Sequence, residues 1–427
     1  MTLNSVKLLP KPQLFSFPPL NRQVWILAAG RFLLEVGTGF TLFYAPIFFV
    51  NQVFLSATQV GIALGSASIS GVVGRILGGV FADSTFWGRR RTLLLSAAIS
   101  AVASFALATT SNFSSLVAGN LLMGLGMGFY WPATEAVVAD LTEGEHRKEA
   151  YALARLADNL GLGTGIILGG GLIATTGAYR ALFLIDGLSF LVFFGVVYFA
   201  IEQTYQPKAI NSHGQSPFDG WITALSDRRL SVFVVVNVIF TTYISQLHST
   251  MPLYFNKYIS IANSTGFSTS TISALFTWHM ILTILCLMPI ARILKRFSQP
   301  KALSISALLW AVGFCLLWVT GVASSWPLLW AILAMGVFAI AIVSYTPFAS
   351  SLVADLAPPD LRGVYLSINS LCWAVGYAIG PPLGGWAMDR NIAVVYSFWL
   401  SLAVSVLITL GILQYLNRIL VSEKPPS

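Results

Sequence analysis

Charged residues punctuate this chain rather than pervade it. Stretches free of Asp, Glu, Lys and Arg run over 36–74, 92–134, 230–256, 258–291 and 302–354. A helix needs roughly 20 mostly apolar residues to cross the ~30 Å hydrocarbon core of a bilayer. The longest stretch exceeds one crossing, and Gly321, Ser324, Ser325 and Pro327 divide it. The pattern predicts twelve membrane spans, at 23–50, 57–82, 91–110, 114–139, 150–175, 178–201, 230–255, 271–293, 301–322, 327–353, 363–388 and 393–416. Helices are expected because backbone polar groups in lipid must be bonded within their own segment. A β-barrel would need short alternating segments, which the sequence lacks.

Composition sharpens the picture. Of 427 residues, 56% are hydrophobic and only 9% charged, with a mean hydropathy of +0.77. So few charges could not cover a soluble surface, which argues against a soluble enzyme, a disordered chain or a nucleic-acid binder. The 36 glycines suit closely packed membrane helices. Cys286, Cys315 and Cys372 sit in apolar stretches and form no disulfide or metal framework. The first 22 residues carry Lys7, Lys11, Arg22 and four prolines without an apolar core, so they read as a basic tail rather than a cleavable signal.

The net charge of +8 is one-sided rather than a sign of an acidic partner. With an even number of spans, 18 of the 24 Lys and Arg residues fall on the side of the chain ends, including Arg89, Arg90, Arg91, Arg147 and Lys148. Three fall opposite (Arg180, Lys257, Arg390), and Arg31, Arg75 and Arg155 lie within spans. By the positive-inside rule both termini are expected to be cytoplasmic.

The chain also contains itself twice. Under a shift of 215 residues, Tyr130 overlays Tyr345, Pro132 overlays Pro347, and Val138 to Leu141 overlay Val353 to Leu356. Arg147 overlays Arg362, and Gly161, Gly165, Gly169 and Gly170 overlay Gly376, Gly380, Gly384 and Gly385. The expected organisation is a tail at 1–22, six-helix bundles at 23–201 and 230–416, a polar linker at 202–229 and a tail at 417–427. The end of the linker, Asp219 to Arg229, reads as a surface helix. Parallel six-span halves suit a transporter that rocks about a midplane site.

The whole chain resembles a major facilitator superfamily transporter, most of all the twelve-span bacterial drug:proton antiporter branch. The loop after span two carries Gly79, Asp83, Gly88, Arg89, Arg90 and Arg91 in the manner of the family signature. Ser84 replaces a usual basic residue, and two extra residues precede Gly88. The run Gly161 to Gly170 resembles the antiporter motif of span five, with Ile166 in place of Pro; its counterpart keeps Pro381. Asn120 stands where antiporters often carry Arg in span four. The resemblance implies an all-α fold of two pseudo-symmetric six-helix bundles in the plasma (inner) membrane. It also implies that Asp83 acts as a latch, with plain topology-setting by Arg89 to Arg91 as the alternative. The glycines at spacing four, Gly161, Gly165, Gly169 and Gly376, Gly380, Gly384, either pack helices or act as bearings between moving halves.

Ionisable residues inside the bilayer are costly and mark candidate chemistry. Arg31 and Glu35 are four apart in span one, hence on one face, with Glu35 roughly 18 Å from the near end by helical rise. Burial favours the neutral acid and Arg31 favours the carboxylate. A group balanced in this way can carry a proton, or the two can form a permanent ion pair. Arg155 and Asp158 open span five and are placed to pair with Arg31 or Glu35. Glu135 and Asp186 are further proton-coupling candidates, although Phe183 to Asp186 matches a stretch that recurs in the superfamily and so also suits a structural role. The second half has no embedded carboxylate between Lys301 and Asp355, which directs any proton site to the first half.

In the family fold, spans one, four, seven and ten line the cavity. Tyr44, Tyr130, Trp131, Tyr243, Gln246, His248 and Tyr345 come from those spans, and Trp278, His279, Asn369 and Trp373 from their neighbours. The histidines either titrate or sit buried and bonded to backbone, and the aromatics either line the cavity or belong to the interfacial belt. An aromatic, mostly apolar cavity suits an amphipathic or lipophilic molecule. Proton-coupled efflux of such a compound is the leading expectation. An uncoupled facilitator or sugar/metabolite exporter is the alternative, and a non-transporting receptor or scaffold a remote one. No HExxH, GxSxG or Walker sequence is present, so no enzyme, no metal and no cofactor is expected. The expected partners are a small-molecule substrate, protons in the coupled reading, and the lipid bilayer, with no nucleic acid. A single chain holds both halves, so a monomer suffices.

Overall fold

The computed structural model describes residues 20–84, 86–142, 144–203, 217–261, 264–358 and 361–422. Most of the N-terminal tail, the linker residues 204–216 and the last five residues of the C-terminal tail lie outside this set. Each predicted span is helical. The first bundle comprises α1 (Arg22–Leu42), α2 (Ala45–Asn51), α3 (Ala57–Ala82), α4 (Gly88–Ala108), α5 (Phe113–Asp140), α6 (Gly144–Thr176) and α7 (Tyr179–Ala200). The surface helix before span seven is α8 (Pro217–Ser226). The second bundle comprises α9 (Arg228–His248), α10 (Thr250–Lys257), α11 (Thr269–Leu294), α12 (Gln299–Val322), α13 (Pro327–Leu356), α14 (Arg362–Met388) and α15 (Ile392–Ser422). A two-residue antiparallel ladder, β1 (Ser260–Ile261) with β2 (Ser264–Thr265), folds the loop before α11.

Two expectations about the spans are corrected. Spans one and seven are each broken in two, at α1/α2 and α9/α10. The cause is Pro46 and Pro252, which have no N–H to give the carbonyls four residues earlier, Leu42 and His248, where α1 and α9 end. The last helix runs on to Ser422, past the predicted end at 416. Among the described residues, eleven helical segments are long and apolar enough to cross a bilayer by length and composition alone. The twelfth, α14, has 27 residues, about 40 Å of helix, but carries Asn369, Ser370, Pro381 and Pro382. Neighbouring helices supply partners for Asn369 and Ser370.

Helix pairing repeats between the bundles. In the first, α1 packs on α6 and α7, α3 on α5, and α4 on α5 and α7. In the second, α9 packs on α14 and α15, α11 on α13, and α12 on α13 and α15. The bundles meet along two seams, α3 against α14 and α6 against α11. The second bundle is held by stacked aromatics, with Trp310, Phe314, Phe338 and Trp399 buried against one another. Leu407, Met288 and Phe199 stand exposed on the helices, as a lipid-facing surface requires.

The two spacing-four glycine faces lie inside the bundles, which corrects their reading as bearings between halves. A Cβ on Gly165 would lie 2.9 Å from Gly39 Cα on α1, and one on Gly376 would lie 2.6 Å from Thr241 Cβ on α9. The glycine one residue further on, rotated by about 100° around the helix, faces the other bundle. Gly170 abuts Ser273 of α11, and Gly385 abuts Ala57 of α3.

Candidate functional site

Arg31 is buried on α1 and its guanidinium turns to α6. Nε donates to Asp158 Oδ1 at 2.9 Å and Nη2 donates to Oδ2 at 2.5 Å. Nη1 donates to Thr134 Oγ1 of α5 at 3.2 Å. The rings of Tyr130 and Trp131 lie 5.8 and 5.7 Å from the guanidinium carbon. The bonded partner is therefore Asp158 rather than Glu35, because Asp158 presents two oxygens to the planar fork. Glu35 is buried at the α1–α6 contact beside Gly161. It lies within electrostatic reach of Asp158, Arg31, Asp186 and Arg155, and no hydrogen bond reaches its carboxylate among the described residues.

The cluster continues towards the face that carries Arg89, Arg90 and Arg91, termed here the basic face. Arg155 on α6 donates to Glu135 on α5 at 2.8 Å and lies 4.0 Å from Asp158. Its guanidinium sits 5.4 Å from the Trp131 ring, so both arginines lie within cation–π reach of that ring. Arg155 and Glu135 are both well exposed, unlike Arg31. Asp186 on α7 is buried. Its Oδ2 accepts from Ser104 on α4 at 2.6 Å, and its Oδ1 has no hydrogen-bond partner among the described residues.

The second bundle carries the neutral image of this site. The glycine contacts fix the register: Gly161 meets Glu35 where Gly376 meets Thr241, and Gly169 meets Tyr44 where Gly384 meets Thr250. Spans one and seven therefore overlay with a shift of 206, which also superimposes Pro46 on Pro252 and Arg31 on Asn237. Asn237 Nδ2 donates to Asn369 Oδ1 at 2.7 Å, and Tyr345, the counterpart of Tyr130, donates to Asn237 Oδ1. The position of Arg31 is thus held by a neutral amide in the second bundle, and Trp373 stands at the position of Asp158. The sequence comparison missed Asn237 because the shift changes between spans; the paired prolines were the available signal.

The remaining cavity candidates divide. Tyr243 points away from the first bundle, its hydroxyl 2.6 Å from Ser405 Oγ and its ring against Trp310 and Phe314. Gln246 is buried, donating to Gly380 O at 2.9 Å and accepting from Thr250 at 2.5 Å. His279 Nδ1 lies 3.1 Å from Met335 O, a backbone partner. Trp278 donates to Ile332 O at 3.2 Å and borders a cavity of about 480 Å³ at the α6–α11 seam. Nearer the other bundle, His248 Nδ1 lies 2.8 Å from Tyr377 OH, and its ring meets Phe43, the residue that follows α1, edge-on. Trp373 stacks on Tyr377. Tyr44 donates to Ile166 O at 2.9 Å, where Ser273 of α11 also donates, at 3.1 Å. Asn120 donates to Leu116 O in its own helix.

At the basic face, Gly88 has a φ of +65°, which turns the chain into α4 and suits glycine. Arg89 binds Asp83 at 3.0 Å and Asp140 at 2.5 Å, tying α3, α4 and α5 within the first bundle. Arg90 donates to Tyr198 O at 2.6 Å. The Asp83 side chain is 71% exposed, and the Cβ positions of Gly79 and Gly363 are open. Bonds between bundles gather elsewhere. Asn51 donates to Asn256 at 2.7 Å, Tyr179 OH lies 3.3 Å from Thr269 Oγ1, and the α3 N-terminus donates to Asp389. Among the described residues, no hydrogen bond between bundles lies nearer the basic face than Arg75 to Ser370. Among the described residues, the hydrogen bonds between bundles thus gather towards the face opposite the basic one.

The family profile of the Major Facilitator Superfamily matches residues 27–260 and 255–427. A Na(+), Li(+), K(+)/H(+) antiporter of Planococcus maritimus is 24% identical over 400 residues, covering 86% of this chain and 90% of its own. Multidrug resistance protein MdtH of Yersinia enterocolitica is 25% identical, covering 90% and 92%. Quinolone resistance protein NorA of Staphylococcus aureus is 22% identical, covering 87% and 92%. Among solved structures, the nucleoside transporter NupG aligns with a TM-score of 0.78 at 14% identity, over 93% of this chain and 99% of that one. A POT family transporter in complex with 5-aminolevulinic acid aligns at 0.77 and 16% identity, over 95% and 98%.

Proposed function

Because the chain belongs to the Major Facilitator Superfamily, we propose that it exports amphipathic or lipophilic small molecules in exchange for protons, by alternating access. It is a multi-pass membrane transporter and not an enzyme. The basic face is the cytoplasmic one, so the conformer described here opens inward. Bundle rocking then closes the basic face and brings Asp83, at the end of α3, to the N-terminus of the antiparallel α14.

The observation that carries the coupling is the one-sided charge cluster. Four carboxylates (Glu35, Glu135, Asp158, Asp186) accompany two arginines (Arg31, Arg155) in the first bundle, while the second has Asn237 and Thr241 at the positions of Arg31 and Glu35. Asp158 engages Arg31, which leaves Glu35 as the acid free to take and release a proton. The exposed pair Arg155–Glu135 connects that acid to the basic face. Trp131, His248, Trp373 and Tyr377 provide apolar and aromatic walls on both sides of the bundle boundary. The relatives named for multidrug and quinolone resistance support this substrate class.

A second reading is supported by the relative named as a monovalent cation/H(+) antiporter. Proteoliposomes with an imposed pH gradient decide between them. Lipophilic cations, Na+, Li+ and K+ are offered in separate arms to the wild type and to Glu35→Gln. Gradient-driven flux of a lipophilic compound that is lost in the variant is the expected result. Flux that ignores both the pH gradient and the variant identifies an uncoupled facilitator. Proton exchange with an alkali cation alone replaces the drug substrate.

A further inference from the structure

The N-terminus of α3 leaves three amide N–H groups at positions 57, 58 and 59 to be satisfied before the helix's own bonding begins at Val60. Ser56 Oγ accepts from the N–H of Gln59 at 3.1 Å, and Gln59 Oε1 accepts from the N–H of Ser56 at 3.0 Å. This capping box leaves the N–H groups of Ala57 and Thr58. Both donate to Asp389 of the other bundle, to Oδ1 at 2.8 Å and Oδ2 at 2.7 Å, and Thr58 Oγ1 donates to Oδ2 at 2.5 Å. One carboxylate therefore takes three bonds at the positive end of a helix it does not belong to.

Asp389 is the C-cap residue of α14, and Asp83 is the C-cap residue of α3. The two helices run antiparallel along one seam, so each ends in an aspartate on the face where the other helix begins. At the basic end Asp83 is exposed and bonded within its own bundle. At the opposite end Asp389 is fully engaged across the seam. At the same end of the other seam, α11 is capped by its own Ser268, and among the described residues the Tyr179 and Thr269 hydroxyls meet there.

We propose that Asp389 is the latch that holds the two bundles together on the face opposite the basic loops, working in alternation with Asp83. The inference rests on the alternating-access reading. Opening that face must separate α3 from the end of α14 and give up all three bonds, so Asp389 sets the balance between the two conformers.

The test uses the full chain with Cys286, Cys315 and Cys372 replaced. Spin labels go on Ser111→Cys and Ser325→Cys, exposed loop residues of the two bundles on the latched face. A second pair on Phe86→Cys and Phe297→Cys spans the basic face. Distance distributions are then measured with and without a pH gradient. Asp389→Ala is expected to shift the ratio of latched-face-open to closed molecules by about tenfold or more, with the basic-face distance shortening in step. Asp389→Asn keeps the shape and one acceptor oxygen, so it gives a smaller shift in the same direction and serves if the alanine variant fails to fold. A wild type that switches between two distances, with both variants matching it, overturns the latch. A wild type with one distance in every condition overturns alternating access itself.

Discussion

Replacing Asp158 with asparagine isolates the energetics of the buried cluster. Arg31 is 1% exposed and gives Asp158 two of its donors, at 2.9 and 2.5 Å. An asparagine preserves volume but removes the charge and turns one acceptor into a donor facing the guanidinium. Removing one partner of a buried pair typically costs about 3–5 kcal/mol, because the remaining charge is buried without compensation. The cation–π contacts to Tyr130 and Trp131 are present in both proteins and so cancel in the difference. The net loss is therefore expected at about 3–5 kcal/mol, read from equilibrium unfolding in mixed micelles. Replacing both members, Arg31→Met with Asp158→Asn, removes the stranded charge and should recover most of that loss. A single variant as stable as the wild type would refute the buried pair. A double variant no better than the single would show that packing, and not charge, accounts for the cost.

Four further outcomes follow from the geometry. Gly165→Val should destabilise the first bundle by about 1–3 kcal/mol, since its Cβ would lie 2.9 Å from Gly39 Cα, whereas Gly163→Val meets nothing within 4 Å and should be neutral; thermal unfolding of the pair checks both. Asp83→Asn should slow transport without reducing the amount inserted, measured as flux per inserted molecule. Arg75→Ala removes the inter-bundle bond to Ser370 and should widen the basic-face distance distribution. Outside the membrane, burial alone would raise the Asp227 carboxyl, but its hydrogen bonds from Arg229 and Tyr365 outweigh that and hold it below the usual carboxylate range. A depressed group stabilises fully above its unfolded value and loses that contribution as pH falls through its folded value. Stability of the wild type should therefore fall on acidification below the ordinary aspartate range, and Asp227→Asn should flatten that part of the curve.

Much of the architecture was legible because bilayer crossing is a local demand. Each span must be apolar along its own length, so the spans and the repeat around Tyr130 and Tyr345 could be read residue by residue. The breaks at Pro46 and Pro252 were equally local and were overlooked only because each fell inside an apolar run. The charge site was half legible. Arg31, Glu35 and Asp158 stood out as embedded charges, but a one-dimensional pattern ranks Glu35 first as the partner of Arg31 because it is four residues away. Which carboxylate meets the fork depends on how α6 is rotated against α1, and that rotation is set by Gly161 and Gly165 packing on the α1 backbone.

From the sequence alone came the twelve crossings, the doubling of the chain, the basic face and the confinement of embedded carboxylates to the first half, all properties of residue type and order. Tertiary structure alone decided that Arg31 binds Asp158, that the spacing-four glycines pack inside bundles while Gly170 and Gly385 face across them, and that Asp389 caps α3. Those contacts join residues 127 and 332 positions apart. Their existence depends on the rotation and axial offset of rigid helices, which apolar periodicity leaves undetermined when nearly every face is apolar.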